Sequence, residues 1–227
     1  MCGRYHLKRA PYEVVDGFTI RNPSHPNFGP RYNVAPTDLM PVVRLNPQTK
    51  LRSLDILRWG LVPLWAKDLS IGAKFINARA ETIATSGVFQ EALMRRRALV
   101  PADGFYEWQK IGADRQPYGI GLADGSMFAF AGLWENWRDP KTGEWIRTYT
   151  IITTAANELL APIHNRMPVI LPHAAFGAWL GEVEAAPEDL CAMLKPFPPK
   201  LMTCWPVSKA VGNVRNDYPE LVDRIAL

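Results

Sequence analysis

Residues 118–134, with the sequence YGIGLADGSMFAFAGLW, decide the predicted fold class. Two runs of apolar and aromatic residues, Tyr118–Leu122 and Met127–Trp134, flank the pair Asp124-Gly125. Because aspartate and glycine both tolerate the positive φ of a tight primed turn, the pair predicts a β-hairpin. This part of the chain therefore indicates antiparallel β-structure.

Similar runs occur on both sides of this stretch, bounded by turn residues. They predict strands at Leu39–Leu45, Leu51–Trp59, Ala98–Pro101, Phe105–Gln109 and Ile146–Thr153. Apolar residues at helical spacing predict helices at Pro172–Leu180 and Pro187–Leu194, with a third candidate at Arg79–Met94. The order lacks the βαβ alternation of a parallel sheet. We expect an α+β protein, a single domain over residues 1–227 with a mostly antiparallel, barrel-like β core and short flanking helices.

The composition excludes several classes of protein. With 227 residues, of which 48% are hydrophobic and 21% charged, the chain can bury a sizeable core and is not disordered. No apolar run reaches membrane-spanning length and the first residues do not resemble a secretory signal, so we expect no membrane role and a cytoplasmic location, with the nucleoid if bacterial. The three cysteines form no CxxC pair, which predicts free thiols, no metal site and no cofactor.

The net charge of +4 is unevenly distributed. Residues 1–110 contain 16 Lys and Arg against 9 Asp and Glu, a balance of +7, whereas residues 111–227 contain 10 against 13, a balance of −3. Such asymmetry favours an anionic partner, with a solvated basic face as the alternative.

Cys2 is the most informative residue of the chain. Removal of Met1 would leave it with a free amine beside its thiol, and this pair condenses with an aldehyde, through an imine, to a five-membered thiazolidine. Ordinary pKa values of about 8 for the amine and about 8.5 for the thiol leave usable deprotonated fractions at neutral pH. The alternative is an accidental cysteine on a disordered end. Arg4 and Tyr5 favour an ordered one, since the tyrosine could anchor it in the core.

Glu107 lies on a predicted strand between Tyr106 and Trp108. Flanking aromatic residues would partly desolvate its carboxyl group and raise the pKa toward the range of general acid–base chemistry. The alternative is an edge-strand glutamate that faces water.

Two further segments combine polar groups with apolar surroundings. Asn77 and Arg79 lie where an apolar run ends, and Asn77 could cap the helix predicted there. His164 and Arg166 would project from the same side of an extended chain. Histidine moves protons near neutral pH and arginine binds phosphates bidentately, although a lone histidine is more often structural.

Together, seven segments resemble the SOS-response-associated peptidase (SRAP) family of abasic-site processing proteins, which sense damage in single-stranded DNA. The segments occur in the family's order and span nearly the whole chain. They are Met1–Tyr5, Arg31–Thr37, Trp59–Trp65, Asn77–Thr82, Asp103–Trp108, Ile163–Pro168 and Pro206–Asn213.

The resemblance implies the SRAP fold and a crosslinking, lyase-like enzyme. Cys2 would form a thiazolidine with the ring-opened sugar of an abasic site, and Asn77 would position its amine. Glu107 would be the acid–base group, and His164 would transfer protons as the sugar opens and as the product is released.

The resemblance also implies the partner, which is single-stranded DNA containing abasic sites, bound by a monomer without metal or cofactor. The residues it assigns to DNA binding are Arg4, Arg79, Arg166, Trp65 and Pro36.

Two other functions remain open on the sequence. One is a thiol peptidase that uses Cys2 and His164 with Glu107 or Asn77, in its mildest form removing only Met1. The other is a non-covalent binder of single-stranded DNA, for which the arginines and aromatic residues would suffice.

Overall fold

A computed structural model describes residues 2–21 and 25–227, and this part of the chain contains thirteen strands and four short α-helices. The strands are β1 Tyr5–Leu7, β2 Arg31–Val34, β3 Leu39–Leu45, β4 Arg52–Trp59, β5 Asn77–Arg79, β6 Arg97–Ala102, β7 Gly104–Ile111, β8 Asp114–Leu122, β9 Phe128–Arg138, β10 Trp145–Ala155, β11 Arg166–Pro168, β12 Ile170–Leu171 and β13 Met202–Pro206. The α-helices are α1 Pro11–Gly17, α2 Gln90–Arg95, α3 Phe176–Leu180 and α4 Pro187–Ala192. Single 3₁₀ segments cover Leu69–Lys74, His173–Ala175, Pro199–Leu201, Lys209–Gly212 and Pro219–Val222.

Five strands close into a barrel in the order β3–β4–β10–β9–β6 and back to β3. Neighbours are antiparallel except β4 and β10, which run parallel where Trp59 is paired with Tyr149. Strands β9 and β10 pair from Arg138 opposite Trp145 to Gly132 opposite Ile151. The predicted mostly antiparallel, barrel-like core with short helices is confirmed.

A second sheet, in the order β13–β8–β7–β1–β2, packs against the barrel. Tyr5 of β1 connects the two, because its ring lies 5.3 Å from that of Trp59 and 5.8 Å from that of Phe130, centroid to centroid. Phe105 of β7 meets the same Phe130 at 5.9 Å. One continuous core therefore serves both sheets, and the first strand of the chain is buried in it.

The segment from β11 to β12 fills a gap at one end of the barrel, where β9 and β10 diverge. There β11 pairs with Thr153–Ala155 of β10, and β12 pairs with the beginning of β9. Between them, the N–H of Val169 donates to the carbonyl of Ile152 at 2.9 Å and its own carbonyl accepts from Ala131 at 2.8 Å. The residues just before β11 are thereby fixed to the barrel.

The hairpin predicted around Asp124-Gly125 is wrong. The turn itself forms, since Gly125 has a φ of 70° and its N–H donates to the carbonyl of Leu122 at 3.1 Å. The strands that it joins do not pair, because β8 belongs to the second sheet and β9 to the barrel. The turn is a crossover between the two sheets.

The helix predicted over Arg79–Met94 is also wrong in most of its length. Only Gln90–Arg95 is helical, while Asn77–Arg79 forms β5, parallel to β10. Because β4 ends at Trp59, β10 needs new backbone partners beyond that point, and β5 supplies them. In the described part of the chain, no helix is long and apolar enough to span a bilayer.

Candidate active site at Cys2

Cys2 is fully buried, three residues before the first strand begins. The hydrogen bonds between β1 and β7 continue to within two residues of Cys2. Tyr5 is paired with Phe105, and Tyr106 donates its N–H to the carbonyl of Arg4 at 3.0 Å. The thiol Sγ lies 4.0 Å from the same Arg4 carbonyl. Residues 2–7 are thus held against β7, so the alternative of a disordered end is wrong for them.

Burial raises the pKa of the Cys2 thiol, and the negative charge of Glu107 raises it further. The expectation of a usable thiolate fraction at neutral pH is therefore wrong for this buried position. The thiol keeps its proton until a neighbouring base accepts it.

Glu107 lies on β7, an interior strand of the second sheet, between β8 and β1. Its side chain is only 3% exposed, so it is not an edge-strand residue facing water. Burial raises the pKa of the carboxyl group to about 7, the direction expected from its aromatic neighbours, while the N–H of Trp108 partly opposes the shift. Near neutral pH the group can both accept and donate a proton.

Asn77 begins β5 and does not cap a helix. Its Nδ2 donates to the carbonyl of Ile76 at 3.0 Å and to that of Ile151 at 3.4 Å. Its Oδ1 is buried and accepts no hydrogen bond from the described residues. The side chain therefore presents a fixed acceptor that a bound N–H group could use.

His164 is held just before β11. The N–H of Arg166 donates to its Nδ1 at 3.0 Å, so the neutral ring carries its proton on Nε2. Burial lowers the pKa of His164, which keeps the ring neutral at pH 7. Gln109 ties the segment to the strand of Glu107, because its Nε2 donates to the carbonyl of Pro162 at 3.0 Å.

Arg79 and Arg166 lie on opposite edges of the same end of β10. Arg79 is paired with Thr153 from β5 and is exposed, whereas Arg166 enters from β11 and donates to the carbonyl of Thr153 at 2.7 Å. The guanidinium of Arg166 also makes a bidentate pair with Glu81, at 2.5 and 2.9 Å. One of the two predicted phosphate contacts is thus exposed and the other is occupied by a carboxylate.

Arg4 is bound to protein carbonyls and an amide. Its Nη1 donates to Asn33 Oδ1 and to the carbonyl of Val211, both at 2.8 Å, and its Nη2 donates to Gly212 at 3.3 Å. Buried Asn33, which the sequence reasoning did not single out, also donates to the Val211 carbonyl, at 3.1 Å. The only sequence signal for it was an amide inside the segment Arg31–Thr37.

The two remaining predicted DNA contacts lie in different places. Trp65 is 61% exposed on a turn whose next residue, Ala66, accepts from the indole of Trp137 at 2.8 Å, and the described contacts do not bring it to Cys2. Pro36 lies half-buried in the turn before β3, where the next residue donates to the carbonyl of Trp59 at 2.9 Å. That turn borders the aromatic cluster around β1.

No three His, Cys, Asp or Glu side chains in residues 2–21 and 25–227 are placed to hold a metal ion. The predicted catalytic groups are a thiol, a carboxyl, an amide and an imidazole, and the structure places the Cys2 thiol within the field of Glu107.

The family model described as SOS response associated peptidase (SRAP) matches residues 1–214. The chain belongs to the SRAP family. Among SRAP relatives, the abasic site processing protein YoqW of Bacillus subtilis is 39% identical, over 98% of this chain and 99% of its own length. The abasic site processing protein YedK of Escherichia coli is 33% identical, over 99% of this chain and 100% of its own length. The abasic site processing protein HMCES of Xenopus tropicalis is 30% identical, over 100% of this chain and 79% of its own length.

Solved structures agree with this SRAP assignment. A crystal structure of a protein from Bacteroides thetaiotaomicron superposes with a TM-score of 0.87 at 26% identity, covering 99% of this chain and 100% of that one. A second crystal structure, of a protein from Bordetella bronchiseptica, superposes with a TM-score of 0.76 at 28% identity, covering 91% of this chain and 100% of that one. The two-sheet architecture is shared with these proteins along nearly their full length.

Proposed function

We propose that this protein traps abasic sites in single-stranded DNA by joining Cys2 covalently to the ring-opened deoxyribose. The observation that carries the proposal is the buried Cys2 thiol within the field of Glu107, a carboxyl group whose pKa is about 7. The SRAP relatives named for abasic site processing support the substrate class. One copy of the chain supplies every residue that the proposal uses.

The first step forms an imine. Removal of Met1 frees the amine of Cys2, whose nitrogen attacks the aldehyde carbon C1′ of the opened sugar. A C–N bond forms and the aldehyde oxygen leaves as water. Asn77 Oδ1, the acceptor left open by the fold, would hold an amine N–H, and protonated Glu107 would give its proton to the leaving hydroxyl.

The second step closes the ring. The sulfur of Cys2 adds to the carbon of the protonated imine that the first step leaves, so that an S–C bond forms, the C=N bond becomes a C–N bond and the nitrogen keeps the proton it already carries. Because burial keeps the thiol protonated, a base must accept the proton of the thiol, and the Glu107 carboxylate produced in the first step fits this role. The product is a thiazolidine, and one water is lost overall.

His164 fits the opening of the sugar before capture. Its neutral ring carries a proton on Nε2, while Nδ1 is fixed by Arg166. As the C1′–O4′ bond breaks, the C1′ hydroxyl must lose a proton and the departing O4′ must gain one. The Nε2–H of His164 would give its proton to O4′ while water carries the C1′ hydroxyl proton back to Nε2, so that the aldehyde forms and the ring ends neutral. The reverse transfers would release the product.

Single-stranded DNA offers phosphates to arginines and unstacked bases to aromatic rings. Exposed Arg79 is the most accessible of the proposed phosphate contacts, and Arg166 becomes one when it exchanges Glu81 for a phosphate. Exposed Trp65 supplies a stacking surface and Pro36 a second apolar contact, while Arg4 mainly anchors the strand after Cys2.

The test is the intact mass of the protein after incubation with an abasic single-stranded oligonucleotide. We expect an adduct one water lighter than the sum of its parts, and we expect it to be lost in Cys2→Ala but not in Cys204→Ala, which removes another free thiol. Blocking Met1 removal should also abolish it, since an acylated nitrogen cannot form the imine. An adduct that survives Cys2→Ala would overturn the proposal.

The family description also contains the word peptidase, and the same residues could form a thiol peptidase. A peptidase nucleophile of this kind works as a thiolate, whereas burial and Glu107 keep the Cys2 thiol protonated. Covalent capture needs no thiolate before the imine exists. Turnover of peptide substrates without any DNA adduct would favour the peptidase.

A further inference from the structure

A cleft of about 220 Å³ opens at the far end of β3, where the sequence turns toward β4. Three of its lining residues are cationic and none of the described residues that line it is acidic. An indole and aliphatic side chains form the remaining wall. The cations are Lys50, Arg95 and Arg97, and the apolar wall includes Leu45, Met94 and Trp134.

This cleft is separate from the candidate active site. Strand β3 begins at Leu39, opposite Arg58 and next to the Trp59 end of β4, and it ends at the cleft with Leu45. Seven residues at ~3.3 Å each span roughly 20 Å. A ligand bound in the cleft therefore does not touch Cys2.

The positive charge of the cleft is not neutralised by nearby acids. Glu182 is engaged with Arg52 at 2.6 and 2.9 Å, and Glu91 with Arg96 at 3.0 Å. Lys50 and Arg95 are exposed at the rim.

Arg97 is fixed at the side of the cleft. Its Nη1 donates to the carbonyls of Leu93 and Met94, at 2.8 and 2.7 Å, and its Nε donates to the carbonyl of Trp179. A fixed guanidinium with two exposed cations beside it forms an anion-binding surface.

The cleft continues on both sides. Lys50 also lines a neighbouring hollow with Arg52 and Glu182, and Met94 and Arg95 also line one on α2 with Glu91. Both of these glutamates are already paired with arginines. A groove of this shape suits a chain of anions better than a single small molecule. Trp134, stacked against the guanidinium of Arg44 at 4.7 Å, gives the wall an aromatic surface of the kind that contacts bases or sugars.

We propose that this groove binds the phosphodiester backbone of a nucleic-acid strand outside the lesion itself. The inference rests on the proposed function only for the identity of that strand, which would be the single-stranded DNA that carries the lesion. It also accounts for part of the basic excess of residues 1–110, because Lys50, Arg95 and Arg97 all lie there and none belongs to the candidate active site.

The test compares Lys50→Glu/Arg95→Glu with Lys200→Glu/Arg224→Glu, a pair of exposed cations outside the groove whose reversal changes the net charge equally. Binding of a long undamaged single-stranded oligonucleotide is measured over a series of salt concentrations. For the groove variant we expect about tenfold weaker binding, and a salt slope smaller by about 1.4 from the loss of two phosphate contacts. The control should keep the slope of the wild type.

Crosslinking of a short abasic oligonucleotide, too short to reach the groove, should be equal in all three proteins. If even the wild type forms no adduct, the proposed function fails while the difference in salt slope still supports the groove. Equal weakening in both variants, or an unchanged slope in the groove variant, would overturn the inference. If the charge-reversal variant does not fold, the neutral variant Lys50→Gln/Arg95→Gln takes its place. Its salt slope should also be smaller than that of the wild type.

Discussion

The hydroxyl group of Tyr5 lies 2.8 Å from the hydroxyl group of Tyr149, inside the shared core. Burial raises the pKa of both phenols, so both stay neutral and one donates to the other. Tyr5 belongs to the first strand and Tyr149 to the barrel. This bond therefore fixes the strand that follows Cys2 to the barrel.

Tyr149→Phe should lower the free energy of unfolding by ~1–3 kcal/mol, because it leaves the Tyr5 hydroxyl buried without its partner. The double variant Tyr5→Phe/Tyr149→Phe should recover part of this loss, since no unpaired hydroxyl remains. Urea unfolding of the wild type and of all the variants measures the effect. A double variant as unstable as the sum of the two single ones would contradict it.

Glu107→Gln should stabilise the fold at pH 8 and have little effect at pH 4. The pKa of Glu107 is about 7 in the folded protein against 4.5 ordinarily, so wild-type stability falls as pH rises from about 4.5 to about 7, when burial of the charge becomes costly. Glutamine lacks that cost, so the free energy of unfolding at pH 8 should rise by about 3 kcal/mol. Urea unfolding at the two pH values measures it, and an equal effect at both would contradict the assignment.

Glu107→Gln should also slow adduct formation much more than it weakens DNA binding. Glutamine cannot take the proton from a thiol that burial keeps protonated, and it is not a contact to phosphate. Loss of the acid–base group should cost about 10²–10⁴-fold in rate. Timed quenching measures the rate, and anisotropy with undamaged DNA measures binding. Equal losses in both would remove Glu107 from the chemistry.

Glu81→Gln should strengthen the binding of single-stranded DNA several-fold. Glu81 occupies the guanidinium of Arg166 through two hydrogen bonds, so a phosphate must displace it, and a neutral amide is displaced more easily. Salt titration measures the affinity. Glu184→Gln, which removes an exposed carboxylate elsewhere, controls for the change in net charge. No difference between the two variants would mean that Arg166 does not meet a phosphate.

The strands of the barrel could be predicted because their composition is unambiguous. Phe128–Arg138 and Trp145–Ala155 extend the predicted runs by only a few residues at their ends. Pairing could not be predicted, because it depends on distant parts of the chain. The Asp124-Gly125 turn has the chemistry of a hairpin, yet β8 finds its partners in β7 and β13.

Short strands escaped prediction for the same reason. Asn77–Arg79 has no strand signal of its own and is extended only because β10 offers it a free edge. Tyr5–Leu7 becomes a strand because β2 and β7 pair with it on both sides. Three residues are too few for periodicity to show.

The residues of the candidate site followed from their chemistry and from the resemblance, but their states did not. Burial reversed the expected availability of the Cys2 thiolate, and Asn33 and Glu81 engage two of the three arginines predicted to bind phosphates. These effects depend on which side chains surround a group in three dimensions. A linear pattern of residue types does not contain that information.

The burial of β1 in the core common to both sheets has a consequence for how the protein would lose activity on heating. A nucleophile on a loosely attached chain end could fray while the rest of the molecule stayed intact. Here Tyr5, three residues after Cys2, touches Trp59 and Phe130 in the centre of the molecule. The strand that begins at Tyr5 cannot detach unless that centre opens, so inactivation by heat and loss of the fold should be one cooperative event.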